Sequence, residues 1–168
     1  MENWYLACHK AGRHNAYKAQ MFLSQPQINA TTFIPLMCLL RPRADRPGKQ
    51  KRLIEPLFPG YMFIYFDPEV IPVSKIANCP GVSYLVRFAD IIVPIHDKFV
   101  EEIMSLPVCT YAPVAKIKNA GTINNARFTD EQHKDIIRMT SVADGQERSA
   151  LLYELTGRHF LKSLHKKE

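Results

Sequence analysis

Residues 55–66 of this chain, EPLFPGYMFIYF, combine a turn signal with a strand that is apolar on both sides. Five of these residues are aromatic, and Pro59-Gly60 predicts a turn just before the strand. Because successive strand side chains alternate between faces, one face carries Tyr61, Phe63 and Tyr65, and the other carries Met62, Ile64 and Phe66. Both faces need cover. We therefore expect a central strand whose second face meets a helix, another domain or a partner protein.

The flanking patterns predict an α+β order of elements within residues 1–106. Strands are expected at 3–9, 31–40, 58–66 and 82–88, and helices at 14–25, 72–78 and 96–106. This order is typical of a sandwich in which helices pack on one mainly antiparallel sheet of four strands. A domain of residues 1–106 would be followed by a polar, turn-prone linker at 107–128.

The last part of the chain, residues 129–168, supports two folds by pattern. Thr129-Asp130-Glu131-Gln132 is a capping box that predicts a helix over 130–142, followed by a second helix over 146–164. Residues 143–146, ADGQ, are also a turn signal between two short apolar runs, as in a β-hairpin. Gly157 would cost the second helix about 1 kcal/mol relative to Ala. The remaining composition favours helices.

The net charge of +6 is concentrated near the beginning of the chain. Residues 1–52 carry nine Lys or Arg against Glu2 and Asp45, which is +7, so the remainder sums to −1. Such asymmetry predicts a face that meets a polyanion, the alternative being a solvated basic surface. Many of these charges lie in residues 41–52, RPRADRPGKQKR, where Pro47-Gly48 predicts the tip of an arm or hairpin.

Several protein classes are disfavoured. The chain has no phosphate-binding or dinucleotide glycine motif, no nucleophile elbow and no metal-binding histidine frame, so we expect no enzymatic activity and no cofactor or metal. The four cysteines form no Cys-x-x-Cys pair and are expected to be buried, reduced thiols. No apolar run reaches a membrane span and no signal peptide is evident, which predicts a cytoplasmic protein without membrane association.

Four strings together resemble the NusG family of transcription elongation factors: WYL at 4–6, the basic helix after Gly12, EPLFPGYMFIYFD, and PGVSYLVRF. The likeness is greatest to the RfaH branch and its plasmid-borne relatives of the ActX/TraB type, and DGQERSALLYEL extends it into the C-terminal third. The resemblance implies a monomeric antitermination factor with an N-terminal sandwich of the family's NGN type. That domain would bind the clamp helices of RNA polymerase through Tyr61, Phe63 and Phe88.

The resemblance also implies contact with the non-template DNA strand. Lys10 and Lys18 match basic positions of the family, and Phe22 stands where the branch carries a helical histidine. Arg13 and His14 are further DNA-binding candidates on the same segment, with a solvated helix face as the alternative.

For residues 129–168 the resemblance implies an α-helical hairpin that covers the polymerase-binding patch and can interconvert with a small β-barrel of the KOW type. The barrel form would recruit a ribosomal protein. An interdomain ion pair between Glu55 and Arg148 is implied as well. A function of another class stays open: a stand-alone module for single-stranded nucleic acid, with strand aromatics stacking on bases and the arm at 41–52 contacting phosphates.

Overall fold

The computed structural model describes residues 1–106 and 130–164, with the side chains of Arg13 and of residues 159–164 excepted. The strands are β1 (Asn3–His9), β2 (Thr31–Phe33), β3 (Leu36–Pro42), β4 (Gln50–Pro56), β5 (Tyr61–Phe66), β6 (Val82–Leu85), β7 (Arg87–Phe88) and β8 (Ile91–Ile92). The helices are α1 (Arg13–Leu23), α2 (Val73–Ala77), α3 (Asp97–Ser105), α4 (Asp130–Ser141) and α5 (Gly145–Leu164). The expected linker at 107–128, Thr129 of the capping box and residues 165–168 lie outside the described residues.

The predicted four-stranded antiparallel sheet is confirmed. Its strand order is β2-β5-β1-β6, and every neighbouring pair runs antiparallel. The strand that was expected to be central, β5, lies between β2 and β1. A second, two-stranded ribbon is formed by β3 and β4, and a third by β7 and β8.

Both faces of β5 are covered, as its sequence requires. On one face, Met62, Ile64 and Phe66 are buried in a cluster that includes Ala19 and Leu23 of α1. On the other face, Phe63 is buried in a second cluster. That cluster includes Phe99, Val100 and Ile103 of α3, and also Ile136, Met139, Leu152 and Leu155 of the two C-terminal helices. The alternation therefore separates two cores, one on each side of the sheet.

Two Pro-Gly pairs form the turns that were predicted to precede strands. Gly60 has a φ of 89°, and the Tyr61 N–H donates to Phe58 O at 3.1 Å. Gly81 has a φ of 90°, a conformation that glycine adopts without the steric cost of a side chain. A Cβ at Gly81 would also lie only 2.6 Å from the backbone nitrogen of Ala19. This second turn therefore brings the start of β6 directly against α1.

The single strand expected over 31–40 is wrong. The chain forms β2, leaves the sheet at Ile34-Pro35, and continues as β3 in the separate ribbon. Pro35 has no N–H to continue a ladder, whereas its carbonyl accepts from the Leu57 N–H at 2.8 Å. The proline therefore redirects the strand from one sheet to another.

The single strand expected over 82–88 is also wrong. After β6, the Val86 N–H donates to Leu6 O at 2.8 Å, and the chain then forms the short β7–β8 ribbon. Ala89 and Asp90 join β7 to β8 with φ values of 48° and 63°. Positive φ at both positions of a two-residue loop is the conformation that matches the twist of a hairpin. This turn directly follows Phe88, which packs against the cluster that contains Phe63.

The C-terminal segment is helical, so the helical alternative holds over the β-hairpin in this structure. The turn signal at 143–146 lies at the junction of two helices instead of two strands: residues 142–144 connect α4 to α5, and Gly145 begins α5. In the part of the chain that the structure describes, none of the helices combines the length and apolarity needed to cross a membrane.

The thiols of Cys8, Cys38 and Cys79 are free; Cys8 and Cys79 are buried as expected, whereas Cys38 is partly exposed. Cys109 lies outside the described residues. Across 1–106 and 130–164, no group of three or more His, Cys, Asp or Glu side chains is arranged to hold a metal ion.

Candidate interaction surfaces

The aromatic residues singled out from the sequence lie on the side of the sheet that faces the C-terminal helices. Phe63 has no exposed surface and its ring stacks on Phe33, with 5.9 Å between ring centroids. Tyr61 is half-buried beside it on the same strand face. Phe88 is also half-buried and packs against this cluster. The structure thus brings all three residues to one continuous apolar surface.

Burial and neighbouring ionisable groups perturb the Tyr61 phenol. Desolvation, the largest cause, acts together with nearby Cys8, Tyr84 and Tyr153 to raise the pKa of Tyr61 to about 12. Burial likewise raises the pKa of the Cys8 thiol, although hydrogen bonds to Tyr84 and Tyr61 oppose that shift. The edge of the aromatic surface therefore carries Tyr61 and Cys8 in their neutral forms at physiological pH.

We call residues 130–164 the C-terminal hairpin; its apolar face covers this aromatic surface. Ile136 and Met139 of α4, and Leu152 and Leu155 of α5, are at most 4% exposed and belong to the same buried cluster as Phe63. At roughly 1.5–3 kcal/mol per fully buried side chain, these four contribute about 6–12 kcal/mol as an upper bound, since part of the area is buried between the two helices. Apolar burial is therefore the largest single contribution to docking.

Phe88 of β7 packs directly against α5. Its ring lies 5.0 Å from the ring of Tyr153, at an interplanar angle of 36°. A Cβ on Gly157 would lie only 2.8 Å from Cε1 of Phe88. The glycine that the sequence suggested was a weak point of the helix instead provides the space in which the Phe88 ring sits.

Arg148 is the fully buried cation of this interface. Its Nε donates to Leu57 O at 2.8 Å, and its Nη1 donates to Val142 O at 2.9 Å and to Ala143 O at 2.8 Å. Its Nη2 lies 3.5 Å from Oε1 of Glu55, at ion-pair distance but without hydrogen-bond geometry. The two residues that were paired from the sequence are thus adjacent, and carbonyl oxygens supply all the hydrogen bonds of the guanidinium.

Glu55 is shared between Arg148 and a second cation. Its Oε2 lies 3.7 Å from Nη2 of Arg41, which is on the opposite strand of the β3–β4 ribbon. Glu55 is partly exposed, so water and salt screen both ion pairs. The hydrogen bonds of Arg148 to carbonyl oxygens therefore contribute more to docking than its ion pair with the partly exposed Glu55.

Three further contacts at the same interface were not apparent in the sequence. The Ser149 hydroxyl donates to Pro59 O at 2.9 Å. Nδ1 of His133 on α4 lies 3.2 Å from Oε2 of Glu102 on α3. A Cβ on Gly145 would approach Pro59 Cγ within 2.8 Å, so the absence of a side chain there allows α5 to begin against the turn before β5. Each contact joins residues far apart in sequence, which explains why local patterns did not indicate them.

The DNA-binding candidates form a separate surface around α1. Lys10, His14 and Lys18 are exposed, and the Lys10 N–H donates to Gly81 O at 2.8 Å. Phe22 is half-buried, and the side chain of Arg13 lies outside the described residues. His14, Lys18 and Phe22 follow one another at four-residue spacing and therefore share one side of the helix.

Sequence reasoning did not single out two large exposed residues of the same helix. Tyr17 is 53% exposed and Met21 is 58% exposed. They lie three residues after His14 and Lys18, respectively, so the outer face of α1 is both basic and apolar. Their helical spacing relative to the buried Ala16, Ala19 and Leu23 was the signal that could have identified them.

Comparison with known proteins connects this arrangement to one family. Residues 2–104 match the family profile described as "Transcription termination factor nusG". The chain is also similar to a solved structure described as "Domain interaction in Thermotoga maritima NusG", at 21% sequence identity and a TM-score of 0.38. That alignment covers 63% of this chain and 57% of the other, so the chain spans little more than half of the protein that it matches.

Proposed function

We propose, since this chain belongs to the NusG family of transcription factors, that it acts in transcription elongation as a specialised antitermination factor of the RfaH branch. In this role it binds RNA polymerase and the non-template DNA strand, and it suppresses pausing and termination. The chemistry required is binding alone. The chain then divides into a polymerase- and DNA-binding domain at 1–106, a linker at 107–128 and a regulatory domain at 129–168.

The polymerase contact is assigned to Tyr61, Phe63 and Phe88. The observation that carries this assignment is the present occupant of the aromatic surface, a pair of consecutive helices packed through Met139 of α4 and Leu152 of α5. A surface that accepts one helical hairpin is suited in shape and polarity to another, and the clamp helices are of that kind. Buried aromatic anchors commonly dominate such interfaces.

The C-terminal hairpin is then an autoinhibitory cover. The hairpin and the clamp helices compete for one surface, so only the undocked fraction of molecules binds polymerase. The apparent Kd for polymerase therefore equals the intrinsic Kd divided by the undocked fraction, and it rises as that fraction falls. Arg148, Ser149 and the Phe88–Gly157 contact hold the cover in place.

DNA contact is assigned to the α1 surface. Lys10, Arg13 and Lys18 would neutralise phosphates, His14 would donate a hydrogen bond to one, and Phe22 would contribute an aromatic face to an unstacked base. The support is the exposure of the described basic side chains next to large apolar ones, a combination found where proteins bind single strands.

Conversion of the hairpin to a KOW-type barrel that recruits a ribosomal protein is the remaining part of the proposal. The two helices bury apolar residues in a cluster that they share with the sheet and α3, so they lose that stabilisation when they leave it. Backbone chemical shifts of residues 129–164 as an isolated fragment test this step. Strand shifts are expected, and helical or random-coil shifts contradict the conversion.

The polymerase assignment is tested by pause lifetimes of RNA polymerase in single-round transcription. Tyr61→Ala and Phe88→Ala are expected to abolish the shortening of pauses. Val70→Ala, which truncates an exposed apolar residue in the turn after β5, should retain it. Phe63→Ala is unsuitable, because removing a fully buried ring costs about 3–5 kcal/mol of stability. Unchanged pausing activity in both aromatic variants would end the assignment.

The stand-alone nucleic-acid module is less well supported. A sheet platform for bases needs exposed rings on its strands. In β5 the rings of Phe63 and Phe66 are buried, and those of Tyr61 and Tyr65 are half-buried. The two functions differ in one measurement: the module binds naked single strands tightly, whereas the polymerase factor binds a single strand firmly only on a transcription complex.

A further inference from the structure

The β3–β4 ribbon carries a concentration of positive charge that neither the aromatic surface nor the α1 surface uses. We call residues 41–52 the basic arm. It holds six cations, Arg41, Arg43, Arg46, Lys49, Lys51 and Arg52, against Asp45 alone, a net charge of +5. All of these cations except Arg43 are exposed.

Only two of the six cations are compensated within the described residues. Arg43 forms a bidentate pair with Asp45, in which its Nε donates to Oδ1 at 2.9 Å. That pairing lowers the pKa of the Asp45 carboxyl from its usual value. Arg41 lies near Glu55. Arg46, Lys49, Lys51 and Arg52 have no ion pair in the part of the chain that the structure describes.

The cations of the basic arm are carried by a regularly paired two-stranded ribbon. Strands β3 and β4 pair continuously from Leu36↔Pro56 to Pro42↔Gln50, and the Arg43 N–H donates to Lys49 O at 2.8 Å beyond the last pair. Met37, near the base of the ribbon, is buried in the core. The tip is therefore positioned by the same core that forms the aromatic surface.

The register also places like charges face to face. Arg41 and Lys51 are directly opposite each other, an arrangement that destabilises an antiparallel pair. This repulsion lowers the stability of the ribbon when no anion is bound to it. A polyanion that binds along the ribbon would relieve it.

We propose that the basic arm is a second nucleic-acid site, which binds the phosphate backbone of duplex DNA without sequence preference. Residues 36–56 contain no aromatic residue, so the arm has no platform for stacking on the bases of a single strand. A two-stranded ribbon is also one of the two elements that the major groove of DNA admits. The inference goes beyond the proposed function, because it requires neither polymerase nor the α1 surface.

The arm and the α1 surface belong to different parts of the fold. Helix α1 packs on the face of the sheet that carries Met62 and Ile64, whereas Met37 of the ribbon joins the core on the opposite face. The protein would therefore contact a single strand and a duplex through separate elements.

The test is the salt dependence of binding of the full chain to a 20-base-pair DNA duplex, followed by fluorescence anisotropy. If the four uncompensated cations each neutralise one phosphate, the plot of the logarithm of the binding constant against log[salt] has a slope of about −3.6. Lys49→Gln/Lys51→Gln removes two of these cations and should reduce the slope to about −1.8. Between 50 and 200 mM salt, binding by the wild type then weakens about 150-fold, and binding by the variant about 12-fold. Lys98→Gln/Lys134→Gln removes the same number of exposed lysines from α3 and α4 and should behave as wild type.

The expected result is a halved slope in the arm variant alone, with unchanged thermal melting in both variants. Failure of the wild type to bind the duplex at 50 mM salt would overturn the proposal, as would equal slopes in the two variants. If Lys49→Gln/Lys51→Gln weakens binding to a single strand of the same length as much as it weakens binding to the duplex, the duplex assignment is overturned. Tighter binding of the wild type to an RNA duplex would overturn the choice of DNA. Because polymerase is absent from the assay, these outcomes leave the proposed function untouched.

Discussion

Arg148 should hold the C-terminal hairpin through its buried hydrogen bonds far more than through its ion pair with Glu55. Three of its N–H···O bonds, to Leu57, Val142 and Ala143, are 2.8–2.9 Å long, whereas the carboxylate is 3.5 Å away and partly exposed. Two substitutions, Glu55→Gln and Arg148→Met, separate these contributions.

The expected magnitudes differ enough to be resolved. A partly exposed ion pair contributes at most about 1 kcal/mol, so Glu55→Gln should shift the docking equilibrium by no more than about fivefold. Arg148→Met leaves the carbonyl of Leu57 without its buried donor and removes the bonds to the two carbonyls between α4 and α5. Loss of such a buried charged network costs about 3–5 kcal/mol, or on the order of 10² to 10³ in the equilibrium.

Amide hydrogen exchange of α5, measured on the full chain, reports the docking equilibrium directly. Protection should fall up to about fivefold in Glu55→Gln and about 10² to 10³-fold in Arg148→Met. Arg138→Met is the matched control, because it changes an exposed arginine of the same hairpin, and protection should then be unchanged.

A charge exchange gives the sharpest refutation. If the ion pair dominated, Glu55→Arg combined with Arg148→Glu would restore docking. We expect no restoration, because the new carboxylate at position 148 would face the carbonyl oxygens that now accept from the guanidinium. Wild-type protection in the exchanged protein, or equal losses in the two single variants, would refute the reasoning.

Three other outcomes are expected. Gly81→Ala should lower the free energy of unfolding by about 1–3 kcal/mol more than Gly60→Ala, because both have φ near +90° but only Gly81 abuts α1; equal melting shifts would disprove this. Gly157→Ala should speed amide exchange in α5, because the added methyl group would clash with the Phe88 ring. In a Phe88→Ala background the same substitution should instead stabilise the helix by about 1 kcal/mol, and a destabilising effect in both backgrounds would count against the contact. Burial raises the pKa of Tyr61 to about 12, so the folded state is stabilised while the phenol is neutral. This stabilisation is complete below pH 10 and is lost between pH 10 and 12. In denaturant titrations, the free energy of unfolding of Tyr61→Phe should not show this decrease.

The parts of the fold that follow from local pattern were predictable. The alternation in β5 indicated two covered faces because strand geometry leaves no other arrangement, and both cores are present. Pro59-Gly60 and Pro80-Gly81 indicated turns because proline fixes its own φ and glycine tolerates the positive φ that such a turn requires. The helical propensity of the C-terminal segment correctly outweighed its turn signal at 143–146.

The remaining features depend on contacts that no local pattern encodes. Pro35 redirects a strand because Leu57, distant in sequence, uses its carbonyl. Ala89-Asp90 forms a tight turn although alanine is unusual at positive φ. The lack of a side chain at Gly157 matters because the Phe88 ring lies against it, and Arg148 is held by hydrogen bonds to surrounding carbonyl oxygens. Each of these is a tertiary contact, and a sequence by itself shows only one of the two partners.

The central claim is that the C-terminal hairpin and RNA polymerase compete for the surface that contains Tyr61, Phe63 and Phe88. The most direct measurement is the affinity of polymerase for the full chain, for Arg148→Met and for a chain shortened by deletion of residues 110–168. The account predicts that the shortened chain binds most tightly, the full chain least tightly, and Arg148→Met in between. Equal affinities of the full and shortened chains would contradict it.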